Sequence, residues 1–250
     1  MIRPFNIPII MYHEITPEHT SPLSITPKAF RSQLNALRIF GFTPINFTDL
    51  ENIMRGAKRP KKPVILTFDD GFMNFKEHAH PILKSFRYKS TVFLVTGCIG
   101  KTNVWDKKKK EVMQQPLLSK ADIISLAEEG VEFGSHSHTH RDVTMCRTVA
   151  ERAEEINRPY EIIKAITGKP VTAFCYPYGH HDEISRNYIE AKTMHRFGVV
   201  IQSKPLPKTT SDPFLVSRVF IKPNDFLFRF LWKVYKRRWW NVDFVNIRRK

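Results

Sequence analysis

Short apolar runs alternate along most of this chain with segments of helical periodicity, which predicts parallel β-strands joined by crossover helices. Residues 64–68, for example, form an uninterrupted run rich in β-branched residues, which is typical of a strand buried on both faces. The strands predicted in this way are 7–12, 64–68, 91–95, 131–133, 172–174, 199–201 and 215–221. The pattern therefore predicts an α/β fold, a β/α barrel with fewer than eight regular units.

Helix signals fall between these predicted strands. Thr26 and Pro27 are typical of an N-cap and a first helical position, and Gly41 marks the end of the same helix. Residues 119–122 have the pattern of a capping box, with Asp in place of Glu, and they open a helix that ends at Gly130. The other predicted helices are 74–86, with a kink at Pro81, 149–166 and 183–195. Residues 98–116 lack periodicity and contain four consecutive lysines, so we expect a surface insertion there.

Polar side chains suited to chemistry follow several predicted strands directly. His13 follows the first strand, Asp69 and Asp70 follow the second, and His136 and His140 follow the strand at 131–133. Because the carboxyl ends of parallel barrel strands form one face, we expect these side chains to lie together. Two imidazoles and one carboxylate can hold a divalent metal and leave positions open for water and substrate. Each motif taken alone also fits a solvated turn or surface histidines.

Three motifs carry a resemblance to a known family. Thr67-Phe68-Asp69-Asp70-Gly71, His136-Ser137-His138-Thr139-His140 and Phe174-Cys175-Tyr176-Pro177-Tyr178-Gly179 resemble, in order, the first three motifs of the NodB-homology polysaccharide deacetylases, carbohydrate esterase family four. The resemblance covers roughly residues 7–221. It implies a distorted (β/α)7 barrel and metal-dependent removal of N- or O-acetyl groups from sugars.

The resemblance also implies roles for individual residues. Asp69 corresponds to the general base, and the backbone N–H of Tyr178 corresponds to the donor that stabilises the oxyanion. The implied metal ligands are Asp70, His136 and His140, whereas His138 falls on a variable position of the motif. Zn²⁺ is the metal we expect, although the same ligands accept Ni²⁺, Co²⁺ or Fe²⁺.

The chain departs from the common family pattern at two places. Cys175 stands where many members have an arginine that orients the base, and no Leu-x-His motif occurs near the C-terminus. Residues 9–13 resemble instead the start of a permuted subgroup that includes poly-N-acetylglucosamine deacetylases, so His13 is the predicted acid. Arg218 is a candidate to replace the missing arginine charge, with a plain surface arginine as the alternative.

Substrate contacts are predicted around the same rim. Trp105 could stack on a sugar ring or anchor its own loop, and His180 and His181 follow the Tyr178 turn. We place Trp105, His180 and Arg218 among the residues that contact substrate.

Amino-acid composition and net charge limit the classes of function that fit this chain, but they do not identify one function. The 250 residues are 42% hydrophobic, enough for a folded core, and their formal net charge of +16 favours polyanionic partners. Three separated cysteines without a CxxC pair, and a first segment too short for a signal peptide, lead us to expect a cytoplasmic protein. We expect an acetylated glycan as substrate and no nucleic-acid partner. The alternatives are hydrolysis of another linear or cyclic amide on the same barrel, and non-catalytic binding of polyanions.

The chain after residue 223 has its own pattern. We expect a barrel domain over residues 1–223 and a basic amphipathic helix and tail over residues 224–250. Residues 225–250 hold eight Lys or Arg against two Asp. On a helical wheel the cations Arg229, Lys233, Lys236 and Arg237 share one face, opposite Phe226, Leu227, Phe230, Leu231, Val234 and Tyr235. This pattern predicts peripheral attachment to the anionic inner face of a membrane, or alternatively a helix that packs its aromatic face on the barrel.

Overall fold

A parallel sheet of short strands lies at the centre of the protein, whose computed structural model describes residues 7–18, 21–107, 113–201 and 212–238. The strands are β1 (Ile9–Tyr12), β2 (Glu14–Ile15), β3 (Ser24–Ile25), β4 (Thr43–Ile45), β5 (Pro63–Phe68), β6 (Thr91–Leu94), β7 (Glu132–Ser135), β8 (Ala173–Cys175), β9 (Phe197–Val200), β10 (Val216–Ser217) and β11 (Val219–Phe220). The helices are α1 (Pro27–Ile39), α2 (Phe47–Met54), α3 (His80–Phe86), α4 (Lys120–Glu128), α5 (Val149–Arg152), α6 (Arg158–Thr167), α7 (Glu183–Lys192) and α8 (Leu227–Arg238).

The sheet curls into a nearly closed barrel. Its strand order is β10-β9-β8-β7-β6-β5-β1-β11, and every strand pair is parallel. β10 pairs with β9 and β11 pairs with β1, and only Arg218 separates β10 from β11, so this last segment joins the two edges of the sheet. The predicted distorted (β/α) barrel is confirmed. β4 pairs with the start of β5, outside this path.

Apolar side chains on both faces of the strands explain the uninterrupted runs in the sequence. All six residues of β5 are buried, because one face lines the barrel interior and the other packs against helices. The interior cluster contains Ile9, Ile65, Phe93 and Phe197, whereas a larger cluster lies between the sheet and the helices.

Two predicted helix starts are confirmed, since Thr26 caps α1 and Ser119 caps α4 through a capping box with Asp122. The predicted helices 74–86 and 149–166 are each interrupted by a π-helical turn, at Phe75–Ala79 and Ala153–Asn157. A proline follows each π-helical turn closely, Pro81 in one case and Pro159 in the other. Proline lacks an N–H and its ring clashes with the preceding turn, which widens the helix locally.

The segment 98–116 is more than the surface insertion that the sequence predicts. Short antiparallel bridges join Phe72 to Leu117 and Thr102 to Pro116, and Cys98 is buried with Leu117. Asn103 is fully buried, and its side-chain oxygen accepts a hydrogen bond from the backbone N–H of Gln115 at 2.7 Å. Residues 108–112, which include three of the four lysines, lie outside the described residues.

α8 packs one face against the outside of the barrel. Phe230 and Val234 are buried in the core cluster, and the ring of Tyr235 meets those of Phe40 and Phe42 edge to face. Phe226 and Leu227 are exposed, which corrects the prediction that the whole apolar set faces one way. In the described part of the chain, no helix has both the length and the apolar character needed to span a membrane. The boundary predicted after residue 223 stays a prediction.

Candidate active site

The turn after β5 sends two consecutive carboxylates in different directions. Asp70 has a φ of +72°, and Gly71 has a φ of +75°. Asp is among the few residues that tolerate this left-handed region, since its short polar side chain finds local partners there. As a result Asp69 points toward Arg218, while Asp70 points toward His136 and His140.

The loop after β7 brings its first and last histidines together. Ser137 has a φ of +60° and His140 a φ of +62°, so the backbone turns back on itself between the two imidazoles. His136 Nε2 lies 3.4 Å from Asp70 Oδ1, and His140 Nε2 lies 3.3 Å from the same oxygen. All three side chains are buried. The two imidazoles hold the pKa of Asp70 well below its usual range, although burial works in the opposite direction.

The donor set and its spacing fit a divalent metal. Asp70 Oδ1 is buried and accepts no hydrogen bond within the described part of the chain, which is costly without a cation. With metal–ligand bonds of about 2.0–2.2 Å, neighbouring atoms of a tetrahedral site lie about 3.3–3.6 Å apart, as these do. His136 Nδ1 lies 2.9 Å from the Cys175 carbonyl, to which it donates, so Nε2 is left as a lone-pair donor. Asp70, His136 and His140 are thus a candidate metal triad.

Glu155 supports the loop that carries both histidines. Its buried carboxylate accepts hydrogen bonds from the backbone N–H groups of His138 and Thr139, both at 3.0 Å, and from the Thr139 hydroxyl at 2.7 Å. These three bonds fix the loop between the two left-handed residues. The sequence analysis did not identify Glu155. It lies inside a predicted helix, and no motif or spacing in the sequence relates it to the loop of residues 136–140.

We expect Glu155→Ala to weaken metal binding by about 10- to 100-fold, because the loop loses the acceptor that holds His136 and His140 in place. Chelator competition measures that affinity. Glu155→Gln keeps one carbonyl oxygen and should recover part of the loss, and Glu154→Ala, an exposed neighbour, should bind metal normally. Normal metal affinity in folded Glu155→Ala would contradict the supporting role.

Arg218 and Asp69 form a buried, two-pronged ion pair. Arg218 Nη1 donates to Asp69 Oδ1 at 2.6 Å and Nη2 donates to Oδ2 at 2.7 Å. Burial alone would raise the pKa of Asp69, but the Arg218 guanidinium lowers it, so the carboxylate is ionised at neutral pH. The same ion pair raises the pKa of Arg218 despite its burial.

Arg218 reaches Asp69 through the space beside Cys175. Its Nη2 lies 3.1 Å from Cys175 Sγ, and Nη1 also donates to the Thr67 hydroxyl at 3.1 Å. The guanidinium therefore meets Asp69 from the strand that closes the barrel. The side chain of Arg218 is fully buried and faces Asp69, so it presents no exposed surface at the rim; its predicted contact with substrate stays a prediction.

His13 faces the same carboxylate from the rim. Its Nε2 lies 3.8 Å from Asp69 Oδ2, and its side chain is 11% exposed. The ring of Phe220 approaches it edge to face at 6.5 Å. His13 is thus close enough to the base to share one reacting centre with it, and its role as an acid stays a prediction.

Two aromatic residues enclose His140. The Trp105 ring stacks on the His140 ring at 4.6 Å with an angle of 16°, and the Tyr178 ring meets it edge to face at 4.7 Å. One face of Trp105 is therefore occupied by a candidate metal ligand, which makes sugar stacking on that face impossible. Tyr178 has a φ of +59° and is 43% exposed at the rim.

The remaining predicted contact residues lie at the edge of the rim. His180 is exposed, and its Nδ1 lies 2.7 Å from Asp142 Oδ2. His181 Nδ1 lies 3.2 Å from the Gly179 carbonyl. His138, which the resemblance leaves out, turns away from the triad and pairs with the Thr96 hydroxyl at 2.9 Å.

This chain is similar in sequence to known polysaccharide deacetylases. The family model described as polysaccharide deacetylase matches residues 56–197, more than half of the chain. YxkH of Bacillus subtilis, assigned by its name to the polysaccharide deacetylases, is 25% identical over 202 residues, which are 80% of this chain and 66% of that protein. The poly-beta-1,6-N-acetyl-D-glucosamine N-deacetylase of Staphylococcus aureus is 22% identical over 211 residues, 81% of this chain and 69% of that protein. The chain thus spans about two thirds of these relatives.

Solved structures share the fold. The Streptococcus pyogenes deacetylase PplD, solved in complex with acetate, superposes with a TM-score of 0.77 at 24% identity, covering 92% of this chain and 99% of that one. IcaB from Ammonifex degensii superposes with a TM-score of 0.73 at 22% identity, covering 93% of this chain and 98% of that one.

Proposed function

This chain belongs to the polysaccharide deacetylase family, and from that premise we propose that it removes N-acetyl groups from the acetamido sugars of a glycan with the help of a bound metal. The family assignment makes the protein a hydrolase. The observation that carries the proposal is a single rim on which an Asp–His–His triad lies beside a second, ionised aspartate. Metal-assisted hydrolysis of an acetamide uses a Lewis acid together with a base, and this rim offers candidates for both.

Asp70, His136 and His140 would hold the metal through one carboxylate oxygen and two imidazole nitrogens. Two imidazoles and one carboxylate are among the ligand sets that hydrolytic zinc sites use, so we propose Zn²⁺, with Ni²⁺, Co²⁺ and Fe²⁺ as alternatives. When bound, such a metal supplies Lewis acidity toward the acetyl carbonyl and toward a water molecule.

Asp69 takes the proton of the attacking water in this proposal. Arg218 keeps the carboxylate ionised and fixes both of its oxygens in position. The Arg218 contacts leave each carboxylate oxygen a further lone pair for the water, since an ionised carboxylate has about four acceptor positions.

His13 gives a proton to the departing sugar amine. An amide anion is a very poor leaving group, so the tetrahedral intermediate returns to substrate unless an acid protonates the nitrogen. The position of His13 beside Asp69, and at the partly open rim, supports this role. The backbone N–H of Tyr178 donates to the oxyanion, and the left-handed turn at this residue supports the assignment.

We propose a glycan as substrate, either a polymer or a lipid-linked sugar. The Staphylococcus aureus relative is named for poly-beta-1,6-N-acetyl-D-glucosamine, which supports a glycan over a cyclic amide. The clustered base and triad also argue against a protein that only binds polyanions, since such binding needs neither.

The test is mass spectrometry for loss of an acetyl group from metal-loaded protein incubated with chitooligosaccharides, poly-β-1,6-N-acetylglucosamine and a lipid-linked acetamido sugar. Asp69→Asn protein prepared with the same metal is the control. We expect a free amine to appear in at least one reaction. An O-acetylated xylooligosaccharide is included beside these substrates, and acetate released from it alone would overturn the proposal of N-deacetylation.

We expect His13→Ala to lower amide hydrolysis by about 10²- to 10⁴-fold while an activated acetyl ester is hydrolysed nearly as before, because the ester's leaving group does not need a proton. Steady-state rates on the two substrates measure the difference. His80→Ala removes a histidine that pairs with Glu129 at 3.1 Å, outside the site, and should leave both rates near those of the unaltered protein. Equal losses on amide and ester would mean that His13 has only a structural role.

A further inference from the structure

The outward face of α8 carries aromatic side chains where solvent-facing helices are usually polar. Phe228 is 85% exposed and Trp232 is 53% exposed, and the two lie one helical turn apart. They lie on the side of the helix opposite Phe230 and Val234, which are buried against the barrel. Packing of the helix on the barrel therefore does not explain this second aromatic face.

Cations flank the same aromatic side chains. Lys236 Nζ lies 4.7 Å from the centroid of the Trp232 ring. Arg229 Nε lies 3.2 Å from Asp225 Oδ1, yet the Arg229 side chain stays 64% exposed. Lys233 also pairs with Asp225 but is mostly buried, because it turns inward to that carboxylate and to the Phe220 carbonyl. We define the α8 outer face as Phe228, Arg229, Trp232 and Lys236.

Aromatic rings bordered by Lys and Arg are typical of helices that lie in the interface of a membrane. The rings enter the boundary between headgroups and acyl chains, while the cations meet anionic lipid phosphates. The formal net charge of +16 on the whole chain strengthens attraction to such a surface. Charge complementarity therefore favours an anionic bilayer as the occupant.

The place of α8 in the barrel relates this face to the active site. α8 begins a few residues after β11, whose carboxyl end belongs to the rim that holds Asp69 and His13. Phe226, which is 81% exposed, lies just before the helix at that end. The start of α8 therefore lies near the rim that carries the candidate active site.

We infer that the α8 outer face docks the protein peripherally on an anionic lipid bilayer, next to the mouth of the active site. The inference does not depend on the proposed reaction, because it is tested by binding alone.

Co-sedimentation with liposomes of phosphatidylglycerol and phosphatidylcholine, against phosphatidylcholine alone, tests the inference. We expect binding to anionic liposomes at low salt and a decline with added salt. Each of Arg229→Gln and Lys236→Gln should weaken binding by about fivefold, as about 1 kcal/mol for each surface cation implies. Phe228→Ser with Trp232→Ser should weaken it by about tenfold or more.

Matched controls use other helices. Ile184→Ser on α7 removes an apolar side chain that is also well exposed, and Lys120→Gln on α4 removes an exposed cation. Both should bind liposomes as the unaltered protein does.

Failure to bind anionic liposomes would overturn the inference, as would equal binding by the Phe228 and Trp232 variants. Sedimentation velocity tests whether a second copy of the chain binds this face instead. If the unaltered protein self-associates but does not bind liposomes, and the Phe228→Ser, Trp232→Ser double variant no longer self-associates, the face belongs to a contact between two copies.

Discussion

Replacement of Asp69 by Asn is expected to lower deacetylation by about 10²- to 10⁴-fold while the metal stays bound, because the amide has nearly the same shape but cannot take a proton. The triad of Asp70, His136 and His140 does not include Asp69. Turnover on the substrate identified by mass spectrometry and metal content of the same preparation are the two measurements. If turnover and bound metal are lost together, Asp69 is a metal ligand and the roles assigned to Asp69 and Asp70 are the wrong way round.

Stability must be separated from chemistry in this variant. Asp69→Asn leaves the guanidinium of Arg218 buried without its counter-charge, and breaking a buried pair in this way costs about 3–5 kcal/mol of unfolding free energy. The double variant Asp69→Asn with Arg218→Met removes the buried charge as well. We expect this double variant to recover stability and to remain inactive. Recovery of activity would mean that Asp69 has a structural role only.

Asp142 provides a control for the loss of one negative charge in an Asp→Asn change, because it lies near the same rim. Asp142 pairs with His180 and accepts a hydrogen bond from the Thr144 N–H at 3.0 Å. Asp142→Asn keeps that acceptor and removes one negative charge without touching Arg218. We expect near-normal turnover in Asp142→Asn. A large loss of turnover in Asp69→Asn then cannot be attributed to the removal of a negative charge from the rim in general.

The second large effect concerns the metal. His140→Ala or Asp70→Ala should abolish metal retention and activity together, because each removes one of the three ligands of the candidate triad among the described residues. In the unaltered protein, added Zn²⁺ should raise the melting temperature, since a ligand that binds the folded state alone stabilises it. In the variants this rise should be absent, which is a readout independent of catalysis.

His138 offers a matched control two residues away. Its ring pairs with the Thr96 hydroxyl and not with Asp70, although it belongs to the same loop. His138→Ala should keep the metal and the Zn²⁺-dependent rise in melting temperature. If His138→Ala loses the metal as completely as His140→Ala does, collapse of the loop would account for both losses and the ligand assignment would be wrong.

Much of the site could be predicted because its residues follow strands that the sequence reveals. The apolar run before Asp69, and the strand before His136, place both motifs at the carboxyl ends of parallel strands. Their convergence then follows from barrel geometry. The turn residues were harder to foresee, since Asp70, Ser137 and His140 adopt left-handed conformations without being glycine. Their neighbours in the folded protein stabilise these conformations.

Other features were missed for physical reasons. β4 has three residues, one of them Pro44, which is too short for a clear alternating pattern. The helix predicted over 149–166 contains a π-helical turn, and Glu155 lies in it, aimed at the loop of the histidines. The segment predicted as one strand over 215–221 divides at Arg218 into β10 and β11.

The sequence by itself determined the alternation of strands and helices, the caps of α1 and α4, and the positions of His13, Asp69, Asp70, His136 and His140 at strand ends. These features depend on periodicity and residue type, which are local. Tertiary structure alone decided that Arg218 pairs with Asp69 across 149 residues of chain, and that α8 keeps Phe228 and Trp232 outside while it buries Phe230. Arg218 reaches Asp69 because β10 pairs with β9 and β11 pairs with β1, so that the segment between them spans the two edges of the sheet in the folded protein. Packing of α8 on the barrel decides which of its aromatic residues are buried.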